Sequence, residues 1–315
     1  MKIIGTKDMA YAVNSIAVSN DAIAVSNSTV TELLVYPKQG DDFSAFAFNA
    51  GTSHQNRIIT YDSQSNCFAA IVNAGKNVAI FNQSEVSQII KREHFLFENL
   101  SKNTEQNNGN TWVVLRKPQM HIYNQLAFHE QGEVGHKADN DNNFSYAARA
   151  LESLACVGDV DGATVYVAGN LETEPYAFGV MQDTIGEDVE TAWLQLHDEP
   201  ANFAQIVINR TGQIFVMAEF SQRFGFWLIN TEGDAIEVKS PYEYAFDSYA
   251  ITVFRDEFYI LYSAEDKRAS LLRVNDNQQA ELAITIKGKA TKGIAAIDDY
   301  IVVAIDTKIV FVTED

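Results

Sequence analysis

The sequence predicts an all-β protein, and three observations support this. Short runs rich in β-branched and aromatic residues fill the chain, and almost no segment shows the 3.6-residue apolar period of a helix. The most apolar of these runs recurs at intervals of about 43 to 53 residues along the whole chain. Turn residues, mainly Asp, Asn and Gly, separate the runs.

Composition and charge exclude several classes of protein. The chain has 42 acidic and 23 basic side chains, a formal charge of −19. Nucleic acid and anionic membranes need a positive protein surface, so we expect neither as a partner. Only two cysteines occur, and because Cys67 and Cys156 lie in apolar runs, we expect buried thiols. The start lacks the apolar stretch of a signal peptide, and no run approaches a membrane span, which predicts a cytoplasmic protein.

The apolar runs are each interpreted as the second strand of a repeated unit. A first strand precedes the run across a turn, as Phe203–Ile208 does before Asn209. A third strand follows and often ends in two apolar residues and Asn, as in 227–230. A fourth, more polar strand closes the unit, as in 280–287. The seven runs are Ala22–Ser26, Phe68–Val72, Trp112–Arg116, Val165–Gly169, Ile214–Ala218, Phe258–Tyr262 and Ile301–Ile305.

The last unit is one strand short. It offers strands at 293–297, 301–305 and 308–313, while a spare strand at 2–6 lies before the first unit. We expect the N-terminal strand to complete the last unit, because this pairs two otherwise open sheet edges.

These repeated units resemble the blades of the β-propeller superfamily over the whole chain. The segments 157–169 and 206–218 look like blade cores of degenerate propellers. The resemblance implies one domain over residues 1–315 with seven four-stranded blades, the last formed by 291–315 plus 1–10. Because the third unit is the least regular, with its fourth strand expected at 133–137, counts of six or eight stay open. Sharp family signatures, such as a Gly-His…Trp-Asp pair per blade, are absent, so no functional residue is transferred.

Three loops of the fifth and sixth units are the candidate binding surface. In propellers, the blade-to-blade connections and the loops between second and third strands share the face where ligand sites usually lie. Aromatic and Arg side chains are common anchors of protein interfaces, and Tyr beside acidic groups also suits a sugar. The alternative is that the phenylalanines pack between blades. The candidate binding residues are Phe220, Arg223, Tyr242, Tyr244, Glu265 and Arg268.

Other motifs carry weaker signals. Residues 145–154 have the composition of a short amphipathic helix, which could pack on the protein or dock a partner. His129 and His136 flank two glutamates, but their spacing matches no standard zinc pattern. Residues 139–143 begin like a calcium loop that then lacks its required Gly and Glu. We therefore expect no metal and no cofactor.

The function predicted first is a non-catalytic scaffold that docks a protein partner on this loop face. No Gly-x-Ser-x-Gly nucleophile motif and no phosphate-binding glycine loop occurs. The alternative is a carbohydrate-active or small-ester hydrolase, or a lectin, with its site at the channel mouth. A hydrolase would bring carboxylates from different blades together there, with at least one raised pKa. Whether the protein is an enzyme therefore stays open, and carbohydrate stays a candidate ligand.

Overall fold

The computed structural model describes residues 1–19, 22–26, 31–35, 44–48, 59–62, 67–72, 77–81, 86–91, 96–102, 111–117, 119–123, 137–138, 153–157, 164–170, 177–184, 192–221, 223–240, 247–263, 268–297 and 299–314. These residues group into two compact units. The first contains Met1–Glu93, Ala245–Arg273 and Leu282–Asp315, and the second contains His94–Tyr244 and Val274–Glu281. Within the ranges just given, no helix has the length and apolarity needed to span a membrane.

The regular elements of the described residues are β-strands. In sequence order the first thirteen are β1 (Lys2–Asp8), β2 (Ser15–Val18), β3 (Ala22–Ser26), β4 (Thr31–Val35), β5 (Ser44–Phe48), β6 (Ile59–Asp62), β7 (Cys67–Val72), β8 (Asn77–Phe81), β9 (Val86–Lys91), β10 (Leu96–Lys102), β11 (Thr111–Lys117), β12 (Gln119–Tyr123) and β13 (Lys137–Ala138). The others are β14 (Ser153–Val157), β15 (Thr164–Asn170), β16 (Phe178–Thr184), β17 (Ala192–His197), β18 (Phe203–Ile208), β19 (Ile214–Glu219), β20 (Phe224–Ile229), β21 (Ala235–Glu237), β22 (Asp247–Phe254), β23 (Glu257–Ser263), β24 (Arg268–Val274), β25 (Ala280–Lys287), β26 (Ala290–Ala296), β27 (Ile301–Ile305) and β28 (Lys308–Thr313).

The strands of the described residues pair into four-stranded antiparallel sheets. Six of these sheets are meanders of consecutive strands: sheet 1 (β2–β5), sheet 2 (β6–β9), sheet 3 (β10–β13), sheet 4 (β14–β17), sheet 5 (β18–β21) and sheet 6 (β22–β25). Sheet 7 has the order β1-β28-β27-β26, in which Lys2 pairs with Thr313 and Asp8 with Lys308. Strand β1 thus lies at the edge of sheet 7, antiparallel to β28.

Each meander has two ends with different connections. The hairpins between first and second strands and between third and fourth strands lie at one end, which we call the turn end. The hairpin between second and third strands lies at the other end, together with the connection to the next sheet, and we call this the loop end. This arrangement follows from antiparallel pairing of consecutive strands.

The second strand of the best-described sheets is buried along its length. All five residues of β3 and of β27 are buried, and so are the first five residues of β19. A strand covered on both faces reads as a continuous apolar run, because neither face alternates with solvent. This burial explains why the repeat is most visible in these strands.

In the first unit, the first strands of successive sheets, β22, β26, β2 and β6, lie side by side. Sheets 7 and 1 share a core that includes Ile16, Ile23 and Phe311. The core between sheets 6 and 7 includes Leu271 and Val303. The sheets of this unit are therefore held together mainly by burial of apolar faces against each other.

Two serine side chains add hydrogen bonds between sheets of the first unit. The Ser263 hydroxyl accepts the backbone N–H of Ala290 at 2.6 Å, and the Ser15 hydroxyl accepts that of Ile59 at 3.1 Å. Each bond satisfies a backbone donor where one sheet meets the next. The bonds fix the relative position of sheets that apolar contact alone would hold less specifically.

In the second unit, β10, β14 and β18 lie side by side in the same way. Sheets 4 and 5 share a core that includes Phe178, Ile206, Val216 and Trp227. Leu154, the last residue of the helix predicted at 145–154, lies in a strand instead. It pairs with Val167 in the ladder between β14 and β15. Residues 145–152 lie outside the described residues, as do residues 133–136 of the predicted fourth strand of sheet 3.

Three turns at the turn ends of sheets 5 and 6 are each built around one asparagine, Asn209, Asn230 or Asn275. The side-chain Oδ1 accepts the backbone N–H groups of the second and fourth residues that follow. The donors are Thr211 and Gln213 for Asn209 (3.1 and 2.9 Å), Glu232 and Asp234 for Asn230 (3.0 and 2.9 Å), and Asn277 and Gln279 for Asn275 (2.9 and 3.0 Å). The third following residue has positive φ in every case, at Gly212 (83°), Gly233 (91°) and Gln278 (55°). This geometry explains why Asn follows the third strands of sheets 5 and 6.

Replacement of Asn209 by Ala should lower the free energy of unfolding by about 1–3 kcal/mol, because two backbone donors lose their acceptor. Asn209 is 3% exposed, which makes compensation by water inefficient. Urea denaturation measures the change. The control is Glu232→Ala, an exposed residue whose backbone N–H still bonds Asn230, and its change should stay within about 0.5 kcal/mol. Equal effects for the two variants would contradict the role of the asparagine.

Candidate functional site

The hairpin between β19 and β20 forms the loop end of sheet 5. The last strand pair joins Glu219 to Phe224. The Phe220 N–H donates to the Arg223 carbonyl at 2.8 Å, which closes the turn on itself. The segment arriving from sheet 4 is attached to the same hairpin, since the Asn202 N–H donates to the Glu219 carbonyl at 2.7 Å. Backbone hydrogen bonds therefore join Phe220 to Arg223 and Asn202 to the end of β19.

An aromatic layer lies beneath this loop. Phe220 is 3% exposed and packs edge-on against Phe178 and Trp227, with ring centroids 5.9 and 6.1 Å apart. The His197 imidazole, at the end of β17, lies 4.2 Å from the Phe220 ring centroid. Such contacts add to the burial of apolar area and restrict each ring to one orientation. We call Phe178, His197, Phe220 and Trp227 the aromatic layer.

Two glycines make room for the tryptophans of this region. A Cβ at Gly225 would overlap the six-membered ring of Trp227, two residues further along the same strand. A Cβ at Gly179 would overlap the Leu194 carbonyl and the Trp193 ring on the neighbouring strand. The glycines therefore let indole rings lie directly on the sheet, which is a known use of glycine inside strands.

Arg223 lies on the exposed side of the aromatic layer. Its guanidinium carbon is 5.8 Å from the Phe220 ring centroid, within the range of a cation–π contact. Its Nη2 contacts Nε2 of His197. The other ring nitrogen of His197, Nδ1, accepts the backbone N–H of Glu199 at 3.0 Å. Arg223 and His197 thus form one polar pair supported from below by Phe220.

The acidic side chains closest in sequence do not neutralise this pair. Asp198 accepts a hydrogen bond from the Gln195 side chain at 2.7 Å. Asp198, Glu199 and Glu219 form no ion pair with Arg223 in the part of the protein that the structure describes. The guanidinium charge is therefore exposed on a strongly acidic protein.

The structure brings some of the six predicted binding residues together and leaves others undescribed. Phe220 and Arg223 are in contact, with Phe220 as the buried support and Arg223 as the exposed group. Arg268 is exposed at the start of β24, in the first unit, and its backbone bridges to Gly288. The other three, Tyr242, Tyr244 and Glu265, lie outside the described residues, as do His129 and His136.

Sequence reasoning missed His197. It lies 26 positions before Arg223, in a different sheet, and its own segment reads as an ordinary polar edge strand. The one usable signal is its position at the end of a fourth strand, where the polypeptide enters the loop end. A search of the loop-end positions of every unit for titratable side chains would have included it.

A second cluster of charged groups lies at the turn end of sheet 6. The Tyr259 hydroxyl is 2.9 Å from Oε1 of Glu314 and 3.2 Å from Oε2 of Glu257. Arg255 is 3.2 Å from Glu314, and Arg273 is 3.5 Å from Glu257. Burial raises the pKa of Tyr259, and the two carboxylates raise it further. Two arginines balance two glutamates, so the cluster is a charge-compensated network that ties the segment after β28 to sheet 6.

No group of three or more His, Cys, Asp or Glu side chains in the described residues is arranged to hold a metal ion. The Tyr259 network offers two carboxylates, but both already contact an arginine and a phenol.

The protein is similar in structure to several β-propeller proteins. Virginiamycin B lyase from Staphylococcus aureus aligns with a TM-score of 0.64 and 14% identity over 99% of both chains. Hsv2 from Kluyvelomyces marxianus aligns with a TM-score of 0.55 and 10% identity, over 95% of this chain and 90% of that one. PorZ of the type-IX secretion system of Porphyromonas gingivalis aligns with a TM-score of 0.58 and 9% identity, over 96% of this chain and 37% of that one.

These likenesses show the β-propeller architecture that the repeat predicts, and at such low identity they show the fold alone. No protein-family model matches the sequence, and no curated protein matches it significantly. The residues of the loop end must therefore be interpreted from their own chemistry.

Alanine variants of buried Phe220 and of exposed Arg223 should differ in their effect on the free energy of unfolding. We expect Phe220→Ala to lower the free energy of unfolding by about 3–5 kcal/mol, because it leaves a cavity in the aromatic layer. Arg223→Ala should change it by less than about 0.5 kcal/mol. Urea denaturation of both variants measures this, and a large loss for Arg223→Ala would mean that the residue is structural.

The contribution of Tyr259 to the free energy of unfolding should decrease at high pH. Its folded pKa is raised above the unfolded value of about 10, so the stabilisation is fully present below pH 10 and falls as the pH rises further. The measurement is the difference in unfolding free energy between the unmodified protein and Tyr259→Phe from about pH 8 to 11. This difference should shrink above about pH 10, and a constant difference would contradict the raised pKa.

Proposed function

We propose that this protein is a non-catalytic interaction scaffold: a closed, seven-bladed propeller that docks a protein partner at the loop end of sheet 5. The ring is supported by the four-stranded sheets, by first strands that lie side by side within each unit, and by β1 as the fourth strand of sheet 7. Propellers use such rings as rigid platforms for loops. A cytoplasmic location belongs to the same proposal, and two cysteines in 315 residues, too few for a disulfide framework, are consistent with it.

The observation that carries the proposal is the Arg223 guanidinium placed over buried Phe220 and beside His197. Arginine on an aromatic base is the composition expected of an interface hot spot. Because the rings beneath are packed on Phe178 and Trp227, the base is ordered before any partner arrives. Binding then costs less conformational entropy than it would on a free loop.

The charge of the protein supports another protein as the partner. A formal charge of −19 disfavours nucleic acid and anionic lipid, which need an extended positive surface rather than one arginine. A protein partner can place a single complementary group on Arg223 while its other contacts avoid the acidic surface.

An enzyme is the second candidate, and one observation favours it. A catalytically inactive histidine-to-alanine variant of virginiamycin B lyase has been solved with quinupristin. In the present protein, His197 brings an imidazole to a loop end beside an arginine. The hydrolase alternative has less support, since the carboxylates brought together in the described residues, Glu257 and Glu314, lie at a turn end and are already paired. A lectin would rest on Tyr242 and Tyr244, which are outside the described residues.

Site-specific photo-crosslinking in the native cell tests the scaffold. A photo-reactive amino acid replaces exposed Ser221 at the loop end or, as the matched control, exposed Thr231 at the turn end of the same sheet. We expect one defined partner to crosslink at position 221 and not at 231, and Arg223→Ala to reduce its yield at least about tenfold, as for loss of a hot spot. Equal labelling at both positions, or labelling unaffected by Arg223→Ala, would overturn the proposal.

Incubation with quinupristin distinguishes the proposed enzyme function from the proposed scaffold function. If the protein consumes quinupristin and His197→Ala abolishes this, it is an enzyme and the scaffold proposal is wrong. If the compound is recovered unchanged while crosslinking succeeds, the scaffold stands. Chromatography of the incubated compound measures the outcome.

A further inference from the structure

We infer that the loop end of sheet 5 is a carboxylate-binding site, in which Arg223 and His197 together receive an Asp or Glu side chain of the partner. The inference rests on the proposed function and names the chemical group that the scaffold recognises.

The first argument is a surplus of hydrogen-bond donors. Nδ1 of His197 accepts the Glu199 N–H, so in the neutral ring the proton sits on Nε2. Nε2–H then faces the N–H groups of Arg223. In the other tautomer, Nε2 accepts from Arg223, but Nδ1–H faces the Glu199 N–H. Either way two donors face each other without an acceptor, which is unfavourable until an acceptor enters.

A carboxylate satisfies both donors at once. One of its oxygens can accept from the guanidinium and the other from Nε2–H, and both bonds are assisted by charge. The geometry is preset, because Phe220 supports both the guanidinium and the imidazole. The acidic residues of the same region do not take this position, since Asp198, Glu199 and Glu219 form no ion pair with Arg223 within the described part of the protein.

Charge favours a carboxylate over a phosphate. The Arg223 guanidinium supplies one permanent positive charge, which matches a single negative charge. A phosphate monoester carries close to two negative charges and would meet a protein of net charge −19.

The backbone of the loop favours an acidic side chain over the terminal carboxylate of a partner. Terminal carboxylates are usually captured by free backbone N–H groups. Here the Phe220 N–H is bonded to the Arg223 carbonyl, and the Glu199 N–H is bonded to His197. These two backbone donors are therefore already bonded, and we assign the ligand to the side chains of Arg223 and His197.

The test uses N-acetyl-glutamic acid amide as the probe, with N-acetyl-glutamine amide as its uncharged counterpart. Nitrogen-detected NMR of the His197 ring in the full-length protein follows the titration, and His197→Gln identifies its signals. We expect a saturable shift of Nε2 with the glutamic acid probe and none with the glutamine probe. Arg223→Gln should weaken the response at least about tenfold, as expected for loss of a charge-assisted bond. Arg210→Gln, an exposed arginine at the turn end, should leave it unchanged.

The outcomes separate this inference from the proposed function. If the probe causes no shift, or Arg210→Gln weakens it as much as Arg223→Gln, the carboxylate site is wrong, even if position 221 still captures a partner. If inorganic phosphate binds more tightly than the glutamic acid probe, the assignment to a carboxylate is also wrong. If the probe binds through Arg223 but position 221 captures no partner, the carboxylate site stands and the scaffold fails.

Discussion

Burial of the central strands on both faces is the constraint on which the rest of this structure depends. A single four-stranded sheet of this sequence has two apolar faces and cannot be stable alone, so neighbouring sheets must cover it. The first strands lie side by side within each unit because this brings the sheet faces together. The polar fourth strands, such as the fully exposed β21, are then free to meet solvent.

The loop end of sheet 5 inherits its order from that packing. Phe220 belongs to the core shared by sheets 4 and 5, and Gly225 leaves room on β20 for the Trp227 ring that contacts Phe220. A charged group placed on such a base is held in one direction by the packed rings beneath it. The same packing that stabilises the fold therefore also orients Arg223.

The sequence predicts the sheets far better than the site. Strands β3, β25, β27 and β28 match their expected limits, because buried runs and Asn or Asp turns are local signals. The pairing of β1 with β28 follows from counting strands. The contact between His197 and Arg223 could not be predicted from local sequence patterns. It joins two different sheets, and it depends on side-chain directions that such patterns do not specify. Phe220 shows the same limit: its residue type suggests both a binding anchor and a core residue, and only the packing shows that it is buried.

The pairing of β1 with β28 has a kinetic consequence. Sheet 7 and the core it shares with sheet 1 need residues from both ends of the described sequence, so they form only after residue 313 has been synthesised. The ladders of sheets 4 and 5 join strands that follow one another in the sequence, so these two sheets can form earlier. Contacts of long sequence separation slow folding, and unpaired strand edges are exposed until they form. The first unit is therefore completed last during synthesis, because β1 can pair with β28 only after β28 has been made.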